Sequence, residues 1–225
     1  MNLKTKLEFI ATPLLALTCL SATAAEDAEL KVFGTIVPAA CELTFPGGSE
    51  TDFGKIDGST LSPTDFTPLP EQLIGFAIIC DAPMAAGVNV VNNKPFAGLP
   101  TGIGQALGLG PAPEAAYPFA ISDGQQVGGY ALWSDALTAD GAAVVHIARR
   151  FTGPWTNGTY KVFSYFNGVA GNYHGFAAPG TSVPIAFTAL TGNIRITAAL
   201  NKAGALTLTD ETPIDGSATV RISYY

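Results

Sequence analysis

The chain has 225 residues, 11 of them Lys or Arg and 18 Asp or Glu, for a formal charge of −7. Such an acidic, charge-poor composition offers no clustered cations for nucleic acid phosphates or for an anionic lipid surface, so neither is an expected partner. The length is enough for one large or two small domains.

The first 25 residues, MNLKTKLEFIATPLLALTCLSATAA, carry Lys4 and Lys6, an apolar run from Phe9 to Leu20, and then small residues. This is the three-part pattern of a secretory signal peptide, and Ala22 and Ala24 satisfy its small-residue cleavage rule. The cut is expected after Ala24 or Ala25. The run is too short to span a bilayer comfortably, and no later stretch reaches the roughly 18 apolar residues that a membrane helix needs. Ala16-Leu17-Thr18, ahead of Cys19, does not read as a lipoprotein cleavage box. Taking Lys4, Lys6 and Glu8 from the totals leaves 9 basic and 17 acidic residues, a net charge near −8.

The next segment, ELKVFGTIVPAACEL, alternates. Ala28, Leu30, Val32, Gly34 and Ile36 share one face of an expected strand; Lys31, Phe33, Thr35 and Val37 share the other. Pro38 ends it, because proline cannot donate a ladder hydrogen bond. Gly34 weakens a strand unless another group must come close to it. The cysteines beyond the leader are Cys41 and Cys80. In an exported chain an even pair reads as a disulfide. Two buried thiols are the alternative, and two cysteines with two distant histidines make a poor metal set.

Further strands are expected at 72–80 (QLIGFAIIC), 87–93 (GVNVVNN), 142–151 (AAVVHIARRF), 158–168 (GTYKVFSYFNG), 182–190 (SVPIAFTAL), 193–200 (NIRITAAL), 204–210 (GALTLTD) and 216–225 (GSATVRISYY). Gly, Pro, Asn and Asp clusters such as TADGAA separate them, and no window carries a helical apolar stripe. Many short strands divided by turn chemistry indicate a sandwich or barrel. Residues 97–116, AGLPTGIGQALGLGPAPEAA, read as a long loop with at most one helical turn. At the C-terminus Ala218, Val220, Ile222 and Tyr224 lie on one face, whereas most chains end in fraying polar residues.

Together the two ends resemble a known family. FGTIVPAAC, a second cysteine about 40 residues later, and an alternating last strand with tyrosine next to last resemble the subunits of chaperone–usher pili. DFGKI, IICDAP, VGGYAL and LTLTDETPIDGSATVRISYY resemble a fimbrial-like branch of that group, of largely unknown function. The resemblance implies a signal peptide at 1–25, a donor-strand extension at 26–40 and an incomplete immunoglobulin-like (pilin) sandwich at 41–225. It implies a groove that a periplasmic chaperone caps until, at an outer-membrane usher, the arm of the next subunit fills it. In that scheme Leu30, Val32 and Ile36 fill a neighbour's pockets, with Gly34 at the narrow place. Ala218, Val220, Ile222 and Tyr224 line this chain's own groove and offer an edge to the chaperone. The Cys41–Cys80 disulfide pins the first strand. The product is an adhesion-supporting fimbrium on a Gram-negative cell surface. The alternatives are a glycan-binding minor or tip adhesin and a self-contained secreted sandwich.

Catalysis is not expected, nor a cofactor or metal. The chain has no Gly-x-Ser-x-Gly elbow, no His-Glu-x-x-His and no phosphate-loop lysine after GIGQALGLG. His146 falls in a strand pattern as a structural or surface residue, and His174 in GNYHGF is expected on a loop. Trp133, Trp155, Tyr160, Tyr165 and Tyr173 offer faces for sugar stacking, Trp155 foremost because turn residues surround it; core packing is the plainer reading for most. Ala148-Arg149-Arg150 reads as a solvated face.

Overall fold

The computed structural model describes residues 29–35, 40–95, 98–110, 115–157, 161–164 and 171–225. The expected leader and Ile36 lie outside them. The chain divides into two units, Met1–Val37 and Pro38–Tyr225. In the first, residues 29–35 belong to no helix or strand, and Leu30, Val32 and Phe33 are 87%, 89% and 89% exposed. Lys31 pairs with Glu29 at 3.6 Å.

The second unit is built from β1 (Cys41–Thr44), β2 (Thr67–Pro68), β3 (Gln72–Met84), β4 (Ala86–Asn92), β5 (Tyr117–Pro118), β6 (Gly128–Ala139), β7 (Ala142–Ala143), β8 (Val145–Arg150), β9 (Asn172–Ala177), β10 (Phe187–Leu200) and β11 (Ala218–Tyr224). One sheet runs β1-β3-β10-β6-β5, with β2 beside β10 and β7 beside β6; the other runs β11-β4-β9-β8. All these pairings are antiparallel. The sheets pack as the all-β sandwich that the sequence leads one to expect.

Alternation decides which face each strand buries. Phe76, Ile78 and Cys80 of β3, Leu190, Ile194 and Ile196 of β10, and Val88 and Val90 of β4 all enter one core with Phe163, Phe176 and Phe187. The alternate β3 residues Leu73 and Ile79 are 59% and 50% exposed. Cys41 and Cys80 are opposite each other in the β1–β3 register and form the disulfide. At the β6–β7 hairpin, Asp140 and Gly141 have φ of 48° and 81°, the pair of positive values that a two-residue Asp-Gly turn requires. The Asp140 carboxylate accepts the N–H groups of Thr188 and Ala189, tying the turn to β10.

The glycine-rich segment 98–110 contributes a one-turn helix, Ile103–Ala106. It folds onto the outer face of the larger sheet, where Ile103, Leu107 and Leu109 are buried against Ala131 and Ala199. Each large side chain so buried contributes roughly 1.5–3 kcal/mol. Segment 204–210 is not a strand. A short 3-10 helix, Ala203–Ala205, is followed by irregular chain; Thr207 and Leu208 face solvent, and no described sheet edge receives it. The expected strands 182–190 and 193–200 overlap a single strand, β10, whose β3 register shifts between Phe187 and Ala189.

Candidate functional site: a trench between two open edges

β1 is only four residues long. It ends at Thr44, opposite Ala77, while β3 continues back to Gln72. The β3 edge over Gln72–Phe76 therefore has no β1 partner. The chain leaving β1 turns at Phe45, whose carbonyl accepts the Gly48 N–H at 2.9 Å. Its Phe45, Phe53 and Ile56 pack half-buried against the core. On the facing sheet β11 lies at an edge, and its one strand neighbour among the described residues is β4.

Between these edges runs a trench of about 800 Å³. Ile74, Ile194, Ile196, Tyr130 and Leu132 form its floor; Phe45 and Phe53 stand on one bank, Ala218 and Val220 on the other. Lys94, ion-paired with Asp215, sits along it. A second hollow of about 690 Å³ shares Thr51, Phe53 and Ile214 with the first, so the depression continues between the segments after β1 and before β11.

The backbone of β11 has a defined polarity. Asn93 N–H donates to Ser217 O and Tyr225 N–H to Ala85 O. Antiparallel bonding alternates, so the odd-numbered residues bond β4 and the even-numbered ones turn their N–H and C=O groups away from it. Those even residues are Ala218, Val220, Ile222 and Tyr224. The first three also pack their side chains against the core. Tyr224 is 53% exposed, and its hydroxyl accepts the Cys41 N–H at 3.0 Å, bridging β11 to β1 beside the disulfide.

The last residue is held from the other side. Tyr225 Oη donates to the His174 carbonyl at 2.8 Å. Its ring stands edge-on to Trp155 at 4.6 Å, and the Arg149 guanidinium lies 5.2 Å from the ring centre. Burial pushes the Tyr225 hydroxyl pKa up, and the nearby Arg149 opposes that only in part. Gly87 makes room: a Cβ there would lie 2.1 Å from His174 O and 2.3 Å from Tyr225 Oη.

The arm residues Leu30, Val32 and Gly34 are in no strand, and a Cβ built at Gly34 would meet nothing within 4 Å. Of the stacking candidates, Tyr160 and Tyr165 lie outside the described residues. Trp133 donates Nε1–H to Thr197 Oγ1 and stacks under Arg195; Trp155 and Tyr173 flank Arg149. Arg149 is therefore half-buried among aromatic rings, because the C-terminal strand brings Tyr225 over it, while Arg150 is exposed as the sequence leads one to expect. His174, expected on a loop, lies in β9 and is fully buried; His146 is buried beside it. Neither lines the trench. Among the described residues no three His, Cys, Asp or Glu side chains gather as a metal site. The trench bank at Phe45 was readable as the continuation of the Cys41, Leu43, Phe45 alternation. No local signal marked Gly87 or Tyr225.

This arrangement defines an all-β sandwich with an apolar depression between two edges. A family model described as "Protein of unknown function (DUF1120)" matches residues 30–98, which take in most of the expected arm, both cysteines and β1 to β4. The chain is also similar to Protein GltF of Escherichia coli (strain K12), at 25% identity over 239 residues that cover 90% of each chain.

Proposed function

We propose that this chain is a structural subunit of a surface fimbria that polymerises by donating a strand to its neighbour. The carrying observation is the trench along β11, with an apolar floor and a row of outward-facing backbone groups. Such a feature invites an added strand: main-chain bonds give affinity and alternate side chains give specificity. Left open, it is an aggregation site. On this reading residues 1–25 direct export, 26–40 form the donor arm and 41–225 form the receiving body. A periplasmic chaperone occupies the trench until an outer-membrane usher exchanges it for the arm of the next copy.

Leu30, Val32 and Ile36 would each contribute roughly 1.5–3 kcal/mol on burial. Gly34 would lie where the trench is tightest. The contact is head-to-tail and does not close, so it builds an open filament. The subunit carries out no chemistry and takes no cofactor. The side chains best suited to sugar stacking, Trp133, Trp155 and Tyr173, are engaged within the chain, which favours a structural subunit over a glycan-binding adhesin.

The test adds a synthetic peptide of residues 28–38 to the purified mature chain. A ligand that binds only the folded state stabilises it by about 2.7 kcal/mol at a hundredfold excess over Kd. The native peptide should raise the melting temperature, and a peptide with Gly34→Leu should not. A monomer that melts reversibly and ignores both peptides would show a self-contained sandwich and end the proposal.

A further inference from the structure

At the edge of its sheet opposite β11, β8 and its neighbour β9 are joined to the larger sheet by a buried polar line. Ser134 Oγ on β6 lies 3.0 Å from His146 Nδ1 on β8. His146 Nε2 lies 2.9 Å from His174 Nδ1 on β9, and His174 Nε2 lies 2.9 Å from the Ser164 carbonyl. His146 is 4% exposed and His174 0%.

The carbonyl at the end fixes the direction of the line, because it can only accept. With both rings neutral, His174 donates Nε2–H to Ser164 O and accepts at Nδ1. His146 then donates Nε2–H, and its Nδ1 accepts the Ser134 hydroxyl. One added proton can reverse the line. His174 Nδ1–H donates to His146 Nε2, His146 Nδ1–H donates to Ser134 Oγ, and the Ser134 hydroxyl turns to the Lys161 carbonyl, 3.1 Å away. Every group keeps a partner. With two added protons, the facing nitrogens both carry hydrogen and neither can accept.

We propose that this line is a two-stage acid latch: it takes up one proton without losing a hydrogen bond, and a second proton parts β8 and β9 from the larger sheet. The effect reaches the far end of the chain through His174, whose carbonyl holds the Tyr225 hydroxyl. The surroundings oppose charge. Phe163 packs on both rings, the Tyr117 hydroxyl is committed to Phe163 O, and Asn172 donates to Ser164 Oγ. A proton on His146 is opposed first by burial and then by His174; the Lys161 backbone favours it, and the more weakly acting Lys161 charge opposes it. Arg149 and Tyr173, the neighbours in β8 and β9, stack on each other. Burial accordingly holds both rings below the ordinary histidine value, His174 at about 4 and His146 well below its usual 6.5. Two rings this close titrate as a pair.

The test follows the ring nitrogens of the mature chain by NMR during acidification. At neutral pH both rings should carry their proton on Nε2. As the first proton enters, His146 should switch to the Nδ1–H form while the core amide spectrum stays native; loss of that spectrum should accompany the second. In Ser134→Ala the reversed line loses its Ser134 acceptor, so unfolding should move to higher pH and the switch should weaken. If that variant does not fold, the wild-type titration decides alone. Independent titration of both rings near their usual value overturns the proposal. So does unfolding with His146 still in its Nε2–H form.

Discussion

Gly87→Ala tests whether the C-terminal residue is part of the fold. The new Cβ would fall 2.1 Å from His174 O, 2.3 Å from Tyr225 Oη and 2.9 Å from Tyr225 Cε2. The carbonyl belongs to β9 and can yield only by straining the Val88–His174 pairing, and the tyrosine ring must leave as well. Its departure forfeits a hydrogen bond, about 1 kcal/mol. It also forfeits the edge-on contact with Trp155, about 0.5–1.5 kcal/mol beyond area burial, and the Arg149 contact, about 0.5–1 kcal/mol. Replacing glycine in a strand returns roughly 0.5–1 kcal/mol. The ring's departure alone gives a net loss of about 2 kcal/mol, and the strain at His174 O adds to it. Urea unfolding followed by tryptophan fluorescence measures it, because Trp155 reports the ring directly. A double-mutant cycle with Tyr225→Ala should show a coupling of at least about 1 kcal/mol, since both changes remove the same contacts. Additive losses, or a neutral Gly87→Ala, would refute the reasoning. The same result bears on truncation: deleting Tyr224 and Tyr225 should unsettle the body itself, so lower chaperone binding by that variant is not a test of the edge alone.

Replacing Cys41 and Cys80 by serine opens a loop of sequence separation 39 and should lower stability by about 4 kcal/mol on the chain-entropy model, read from denaturant midpoints. The buried histidines make stability pH-dependent with a fixed sign. Their folded pKa values are depressed, so their contribution is complete above 6.5 and is lost as pH falls toward about 4; from His174 alone the loss approaches about 3 kcal/mol. A urea midpoint that does not move across that window contradicts their burial. Gly34→Leu should leave export and the melting temperature of the body unchanged, since its Cβ meets nothing within 4 Å, while abolishing multimers on gels; normal multimers would count against strand donation.

Strands with one buried face were legible. β3, β4, β10 and β11 alternate, with branched residues turned to the core. β6 was not, because both its faces are covered: Tyr130 and Leu132 enter the main core while Ala131 lies under the 98–110 segment. A strand buried on both sides loses the period-two signal. GALTLTD alternates yet pairs with no described strand, and pairing is a property of the whole sheet. GNYHGF reads as a loop because of its glycines and asparagine, but Gly175 makes room for Trp155, whose ring would lie 3.0 Å from a Cβ there. The bank residues of the trench at 218 and 220 stood out in the sequence. Its floor did not, since Ile74, Tyr130, Leu132, Ile194 and Ile196 come from three strands that only the fold brings together. The histidine pair spans 28 positions, and nothing in either neighbourhood foretells the other.

The placement of the disulfide has a mechanical consequence. A pull on the chain ahead of Cys41 does not load the four-residue β1 first, because the sulfur bridge passes the force to Cys80, inside the 13-residue β3. β3 is laddered to β10 along much of its length, so it must shear as a unit, whereas β1 alone would unzip residue by residue. Forced extension is governed by the unfolding rate, and a reducing agent should therefore turn a stiff anchor into a yielding one.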